Sequence, residues 1–188
     1  MEKKNSFSKE LLHFVLIIVF IVLPIRLFVA QPFVVVGSSM EPTFVNNDYL
    51  IVDEISYRLK DPQRGDVVIF KYPGDEKKYF IKRVIGLPGE TIDIHDGKVT
   101  ITNKANPSGF VLNESYVKDL PTNTMNVTVE DNKYFVMGDN RDVSFDSRSW
   151  GPLAEDEIVG KAFLRLLPIG DAGFLPGSFA DHYTDEHK

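Results

Sequence analysis

Two adjacent serines stand at a place in the sequence that suits an exposed nucleophile. Ser38 and Ser39 belong to GSSMEPT, residues 37–43, which follows the β-rich run FVVV at residues 33–36. The hydroxyls therefore lie where a strand ends and the chain turns. A serine hydroxyl attacks a carbonyl carbon once a base has removed its proton. The question is which side chain is that base.

Histidine, the usual partner of a nucleophilic serine, is poorly placed in this chain. The four histidines lie in an apolar N-terminal run (His13), at a predicted hairpin turn where a solvated residue is expected (His95) and in a charged tail (His182 and His187). A Ser-His-Asp triad is therefore poorly supported. The chain has no cysteine, which excludes a thiol nucleophile, disulfides and cysteine metal sites.

Lys82 is the alternative base, in the run YFIKRVI at residues 79–85. Because side chains alternate along a strand, Lys82 shares a sheet face with Phe80 and Val84, while Arg83 points to the opposite face. Apolar neighbours disfavour the ammonium form and lower the pKa of a lysine, which populates the neutral amine. The pattern alone leaves a second interpretation open, in which Lys82 faces solvent and the isoleucines on either side of it fill the core.

Short β-rich runs predict the framework that positions these side chains. They lie at residues 33–36, 49–52, 66–70, 79–85 and 133–137. TIDIHDGKVTI predicts a hairpin that turns at Asp96 and Gly97. The turn-rich segments between the runs favour a mainly β fold with an antiparallel sheet over alternating strands and helices. The polar, irregular sequence at about residues 95–131 indicates an excursion from that sheet.

An apolar run from Leu11 to Ala30 follows an N-terminal segment that contains three lysines. As a helix, the run matches the thickness of one bilayer, and the lysines predict a cytoplasmic N-terminus. A cleaved signal peptide fits less well, because a cut after Ala30 puts bulky Phe28 where a small residue is needed. A buried core helix is the weakest interpretation.

The resulting domain prediction places the protein in the cell membrane, with the lipid bilayer as a partner. Its parts are a cytoplasmic N-terminus at 1–10, a single transmembrane helix at 11–30, an extracytoplasmic β-rich domain at 31–180 and a mobile tail at 181–188. The net charge of −6, without a basic stripe, argues against nucleic acid as a partner. Neither a cofactor nor a metal is predicted.

The order of these segments resembles the type I signal peptidases, also called leader peptidases, in their short Gram-positive form. The resemblance runs from the apolar span to about Pro168, through GSSMEPT, RGDVVIF (64–70), YFIKRVIGLPGE (79–90) and GDNRDVSFDSRSWGP (138–152). It implies a membrane-bound serine endopeptidase that cleaves N-terminal signal peptides from secreted preproteins. It also implies that Ser39 is the nucleophile and Lys82 the general base, with Ser38 shaping the backbone beside them.

The resemblance also assigns roles to residues around the Ser/Lys pair. Ser144 is expected to orient the Lys82 amine by a hydrogen bond. Three charged residues are expected to support the Ser144 loop: Asp139, Asp146 and Arg148. Six apolar residues are expected to form a shallow substrate pocket that accepts alanine: Val35, Val36, Met40, Phe44, Phe80 and Ile81. Preproteins with small residues at the first and third positions before the cut would fit such a pocket.

One position departs from part of the family. Gram-negative members carry a serine two residues before the nucleophile that donates to the oxyanion, and this chain has Gly37 there. The oxyanion is then expected to rest on backbone N–H groups, that of Ser39 in the first place.

Two other functions compete with signal-peptide cleavage. The first is a membrane-tethered β domain that binds partners without catalysis, and the intact Ser39, Lys82 and Ser144 argue against it. The second is a Ser/Lys peptidase of another substrate class, such as a self-cleaving repressor. The apolar span and the lack of a recognisable DNA-binding unit argue against that one.

Overall fold

The computed structural model describes residues 3–22, 30–117 and 124–179. Its helices are α1 (Lys3–Ile17), a π-helical turn (Ile18–Val22), α2 (Ser147–Trp150) and three 3-10 turns (Ser56–Arg58, Glu155–Glu157 and Ile169–Asp171). Its strands are β1 (Ala30–Val34), β2 (Tyr49–Asp53), β3 (Val67–Tyr72), β4 (Asp75–Gly86), β5 (Thr91–His95), β6 (Lys98–Thr102), β7 (Phe110–Val111), β8 (Met125–Thr128), β9 (Lys133–Met137), β10 (Leu153–Ala154), β11 (Ile158–Leu167) and β12 (Gly173–Phe174).

An eight-stranded sheet forms the larger part of the fold. Its order is β1-β2-β11-β3-β4-β9-β10, and β12 pairs with β11. Every strand pairing is antiparallel, so the prediction of a mainly β, antiparallel fold is confirmed. The sheet places β3 and β4 side by side near its centre, with Lys82 opposite Val68. The candidate base therefore lies on a strand that is paired on both sides, with β3 and with β9.

A second sheet of four strands, in the order β7-β6-β5-β8, occupies much of the region predicted as a polar excursion. The predicted hairpin joins β5 to β6 and is confirmed, with His95 opposite Lys98. Asp96 and Gly97 both have positive φ, at 48° and 74°, as the two central residues of a tight hairpin turn of this kind require. The turn residues therefore set the register of this hairpin.

In the described part of the chain, buried apolar side chains form three clusters. One of them joins the two sheets, because β5 and β6 contribute Ile92, Ile94 and Ile101 while β4 and β9 contribute Ile85 and Phe135. Another lies under the GSSMEPT turn and includes residues from β2, β3 and β11. The third lies around β3, β4 and β9 on the opposite side of the main sheet, and includes Phe70, Val84 and Val136. β4 thus contributes to two of the clusters, which fixes the strand that carries Lys82.

The predicted strand at residues 33–36 is shifted in the structure. β1 ends at Val34, and Val35 continues its pairing through hydrogen bonds with Asp48 and Asn47 at 2.9 Å each. Val36 is 84% exposed. The pairing ends there because the chain turns at Gly37, whose φ of 96° suits glycine and few other residues.

The predicted transmembrane span falls partly outside the described residues. α1 and the π-helical turn cover residues 3–22, whereas residues 23–29 are not described, and neither is the predicted tail at 181–188. Across the described part of the chain, no helix combines the length and the apolarity that a membrane crossing requires.

Candidate active site

Ser39 lies in a tight turn that the GSSMEPT stretch forms after β1. Gly37 N–H donates to Asn46 Oδ1 at 3.0 Å, and Glu41 N–H donates to the Ser38 carbonyl at 3.1 Å. Asn140 holds the same turn from another loop, since its N–H donates to the Ser39 carbonyl at 3.0 Å and its Nδ2 donates to the Ser38 carbonyl at 3.2 Å. These bonds fix the backbone from which the Ser39 hydroxyl projects.

The structure brings Lys82 to the Ser39 hydroxyl, although 43 residues separate them in the chain. Lys82 Nζ donates to Ser39 Oγ at 2.8 Å and to the Ile81 carbonyl at 2.9 Å. These two acceptors aim the amine at the hydroxyl. A proton can pass between the two groups without further movement of either chain segment.

The environment of Lys82 favours its neutral form. The residue is 4% exposed, and its Nζ lies 5.5 Å from the centre of the Phe80 ring. Burial lowers the pKa of Lys82 from its ordinary 10.5 to about 8; the Asp146 and Asp139 carboxylates oppose that shift, while Arg148 adds to it. A buried amine with this pKa is partly neutral near pH 8 and can accept a proton.

An apolar pocket of about 370 Å³ opens beside Ser39 and Lys82. Four of the six predicted pocket residues line it: Val35, Val36, Phe80 and Ile81. The sequence did not predict seven further apolar or aromatic residues that line it: Phe33, Val34, Leu50, Ile69, Tyr79, Val143 and Phe145. Strand alternation could have indicated Phe33, which is two residues from Val35. Val143 and Phe145 come from a loop whose path the sequence does not specify.

Met40 and Phe44 were predicted to line this pocket, and that prediction is wrong. Both side chains are buried, at 1% and 0% exposure, and pack in the cluster under the turn against residues such as Leu50 and Val52. The turn directs them inward because Phe44 N–H bonds back to the Met40 carbonyl at 2.9 Å, which places both residues on its core side. They anchor the turn at residues 37–43, which contains the candidate nucleophile Ser39 (the nucleophile turn), and do not line the pocket.

Ser144 does not make the predicted hydrogen bond with Lys82. Its Oγ is buried and, among the residues described, has no hydrogen-bond partner. The Ile81 carbonyl takes the place expected of Ser144, since it accepts the second hydrogen bond from Nζ. The Ser144 hydroxyl instead packs against Gly138, where an added Cβ would collide with both Ser144 Oγ and the Ser39 carbonyl oxygen. Glycine at 138 is therefore required for the Ser144 loop to approach the nucleophile turn.

The Ser144 loop is held by the Asp146 carboxylate. Asp146 accepts from Gly138 N–H at 3.0 Å and from Arg148 Nε at 2.8 Å, and it caps α2 by accepting from Arg148 N–H at 3.2 Å. Arg148 Nη2 in turn donates to the Arg141 carbonyl at 2.7 Å. Asp146 and Arg148 therefore fix both ends of the loop.

The family model "Signal peptidase, peptidase S26" matches residues 8–167. The chain belongs to the S26 family of signal peptidases. Among relatives, it is 41% identical to "Probable signal peptidase I-2" of Synechocystis, over 84% of this chain and 72% of that protein. It is 35% identical to "Signal peptidase I P" of Bacillus subtilis subsp. natto, over 89% of this chain and 94% of that protein.

Solved structures of other proteins are similar to this signal peptidase family member. One of them is the crystal structure of a signal peptidase I from Enterococcus faecalis V583, at 32% sequence identity and a TM-score of 0.47. The match covers 54% of this chain and 97% of the other.

Behind its Ser/Lys pair, this family member carries a buried ion pair. Arg83 and Asp139 are both fully buried, and Asp139 accepts from Arg83 Nε at 2.8 Å and from Nη2 at 2.5 Å. Asp139 also accepts from Thr43 Oγ1, in the nucleophile turn, at 2.6 Å. The strand alternation predicted that Arg83 lies on the sheet face opposite Lys82, but it predicted no ion-pair partner for Arg83. A charge on a strand face that is otherwise apolar was the available signal that one was needed.

The backbone N–H of Ser39 is available for the role expected of it, donation to an oxyanion. Among the residues described, it donates to no acceptor, whereas the N–H of Gly37 is taken by Asn46. His95 is far from such a role, because its ring is 62% exposed at the β5-β6 hairpin and faces Asp96. Within the described residues, no three side chains of His, Cys, Asp or Glu are grouped to hold a metal ion.

Proposed function

We propose that this signal peptidase family member is a membrane-bound serine endopeptidase that cleaves N-terminal signal peptides from secreted preproteins. Ser39 is the nucleophile and Lys82 the general base. The observation that carries the proposal is the 2.8 Å contact between Lys82 Nζ and Ser39 Oγ at the edge of an apolar pocket. The pairing of a buried amine with a hydroxyl has the geometry that a Ser/Lys peptidase needs.

The first half of the reaction forms an acyl-enzyme. Neutral Lys82 accepts the Ser39 proton as Oγ attacks the scissile carbonyl carbon, and the carbonyl oxygen becomes an oxyanion near the Ser39 N–H. The Lys82 ammonium then gives its proton to the leaving amine as the peptide bond breaks. In the second half, neutral Lys82 takes a proton from water as the water oxygen attacks the ester carbon. The Lys82 ammonium then returns this proton to Ser39 Oγ as the ester bond breaks and the acid product leaves.

Substrate choice follows from the shape of the pocket. Leu50 and Ile69 lie in its lining beside Val35 and Ile81, so its surface next to Ser39 is apolar. Alanine side chains before the cut fit this surface, and larger ones do not. The substrate backbone is proposed to lie extended along β1, which pairs with β2 on one side and is at the edge of the main sheet.

The membrane location rests on the sequence pattern of residues 1–30. The apolar run at 11–30 and the lysines before it support a span with the catalytic domain outside the cytoplasm. We expect a protease added to intact cells to digest the domain after residue 32. The measurement is an immunoblot against that domain, with a cytoplasmic protein as the control. A domain that is digested after lysis alone would contradict this topology.

The rate of cleavage should depend on pH through Lys82. Because the base is the neutral amine, kcat/KM should rise with pH, bend near pH 8 and level off above it, as the pKa of about 8 for Lys82 requires. The measurement is cleavage of a fluorogenic signal-peptide substrate from pH 6 to pH 10. A profile that is flat from pH 6 to pH 9 would show that deprotonation of Lys82 does not limit the reaction.

The direct test of the function uses the detergent-solubilised protein and a preprotein. We expect a single cut, and sequencing of the new N-terminus should place small residues at the first and third positions before it. The same preprotein with both of these positions changed to leucine is the control and should remain intact. A preprotein that stays uncut, or that is cut regardless of these positions, would argue for a different activity.

A further inference from the structure

A C-terminal segment, residues 173–179, lies beyond the part of the chain that matches the family model, which ends at residue 167. β12 begins the segment and pairs with β11, and Leu175 N–H donates to the Phe163 carbonyl at 2.6 Å. From Leu175 onward the chain runs towards the back of the active site. The segment is thus anchored on the main sheet before it reaches Arg83.

The segment closes over the guanidinium of Arg83. The Gly177 carbonyl accepts from Arg83 Nη1, which also donates to the Gly65 carbonyl at 2.9 Å. The Phe179 ring centre lies 5.1 Å from the guanidinium carbon, and the Tyr116 ring centre lies 4.0 Å from it. The two rings also contact each other, with centres 4.7 Å apart. Phe179 and Tyr116 together keep water from a buried charge.

The same segment touches the nucleophile turn. Gly177 has a φ of 67°, and a Cβ at this position would collide with Thr43 Cγ2 and lie 3.5 Å from the Phe44 ring. Thr43 in turn donates to Asp139, the partner of Arg83. One short segment therefore contacts both Arg83, the neighbour of Lys82 in β4, and Thr43, which lies four residues after Ser39.

We infer that Gly177 and Phe179 are positioning residues, which hold Ser39 and Lys82 at hydrogen-bond distance by enclosing the Arg83–Asp139 pair. This inference rests on the proposed function and deepens it. Arg83 cannot turn away from Asp139 while the Gly177 carbonyl and the Phe179 ring confine it. The backbone of β4 at Lys82 and the turn at Ser39 are therefore fixed relative to one another. Loss of this enclosure loosens the alignment of the reacting groups, and misalignment on the order of 1 Å costs about 100-fold in rate.

The test compares variants of Phe179 in the full-length protein with a signal-peptide substrate. Phe179→Ala should lower kcat by about 10- to 100-fold and leave KM within about twofold, because the pocket itself is unchanged. Phe179→Tyr, which keeps a ring over the guanidinium, should restore kcat. Phe179→Leu keeps apolar volume but lacks the ring, so it should lower kcat as well. It replaces the alanine variant in the comparison with Phe179→Tyr if the alanine variant does not fold. Phe174→Ala is the matched control, since Phe174 lies in the same segment and is 72% exposed.

A second control separates alignment from general stability. Leu153→Ala removes buried volume from the cluster around β3, β4 and β9, whereas Phe179 packs against the cluster between the two sheets, so this variant should lower the melting temperature without lowering kcat. The inference is overturned if Phe179→Ala keeps the wild-type kcat, or if Leu153→Ala loses kcat to the same extent. Cleavage by the wild type and its loss in Ser39→Ala report separately on the proposed function. A wild type that cleaves no preprotein would overturn both.

Discussion

Ser39→Ala should abolish preprotein cleavage, with a fall in kcat of about 1,000-fold or more, because no other group can take the acyl chain at that position. The fold should persist, since the substitution removes one oxygen atom from a side chain at the mouth of a pocket. Ser38→Ala is the matched control. It should retain activity, because the contact that Ser38 makes with Asn140 uses its backbone carbonyl. The measurement is single-turnover cleavage, with circular dichroism to check the fold.

Lys82→Arg tests the other half of the pair and should be equally inactive. Arginine keeps the positive charge, but a guanidinium does not give up its proton in the pH range of the assay. Lys82→Ala, which removes both the charge and the base, should be inactive as well. If the alanine and arginine variants are equally inactive, the base function of Lys82 is needed and its charge is not sufficient. Near-normal turnover in the arginine variant would exclude Lys82 as the base. Loss of activity in Ser38→Ala together with full activity in Ser39→Ala would reassign the nucleophile.

Asp139→Ala should cause the largest loss of stability among single changes near the site. Arg83 and Asp139 are both fully buried, so the variant leaves an arginine charge in the interior without its carboxylate. Removing one partner of such a pair costs about 3–5 kcal/mol, which corresponds to roughly 6–20 °C in melting temperature for a domain of this size. Thermal unfolding followed by circular dichroism measures the effect.

An exposed ion pair in the same domain supplies the control for that experiment. Lys78 lies 3.2 Å from Asp75 in β4, and the Lys78 side chain is 65% exposed. Lys78→Ala should change stability by less than about 1 kcal/mol, because solvent screens such pairs. A melting temperature for Asp139→Ala as close to the wild type as that of Lys78→Ala would mean that Arg83 finds another partner.

Local patterns predicted the features that depend on neighbours in sequence. Alternation along YFIKRVI placed Lys82 beside Phe80 and Val84, and the Asp96-Gly97 pair predicted the hairpin between β5 and β6. Both follow from the period of a strand and from the backbone angles that a short turn demands. The family resemblance added the pairing of Ser39 with Lys82, which no local pattern contains.

The features that the sequence missed depend on contacts between distant segments. Met40 and Phe44 are apolar, as pocket residues are expected to be. Only the path of the turn shows that their side chains point into the core. Ser144 was given a hydrogen bond that the Ile81 carbonyl makes instead. The enclosure of Arg83 brings together β4, the Ser144 loop and the C-terminal segment, and a pattern within any one of them cannot reveal it.

The hairpin between β5 and β6 is a suitable site for attaching a label to this protein. Its tip is open to solvent, with the Asp96 side chain 84% exposed, and residues of the second sheet do not contribute to the lining of the pocket. A fluorophore attached to the side chain at position 95, where His95 is 62% exposed, would therefore keep the Asp96-Gly97 turn, extend into water and leave the pocket unchanged. Such a label would follow the protein through detergent extraction and reconstitution, and would mark the position of its catalytic domain in a cell.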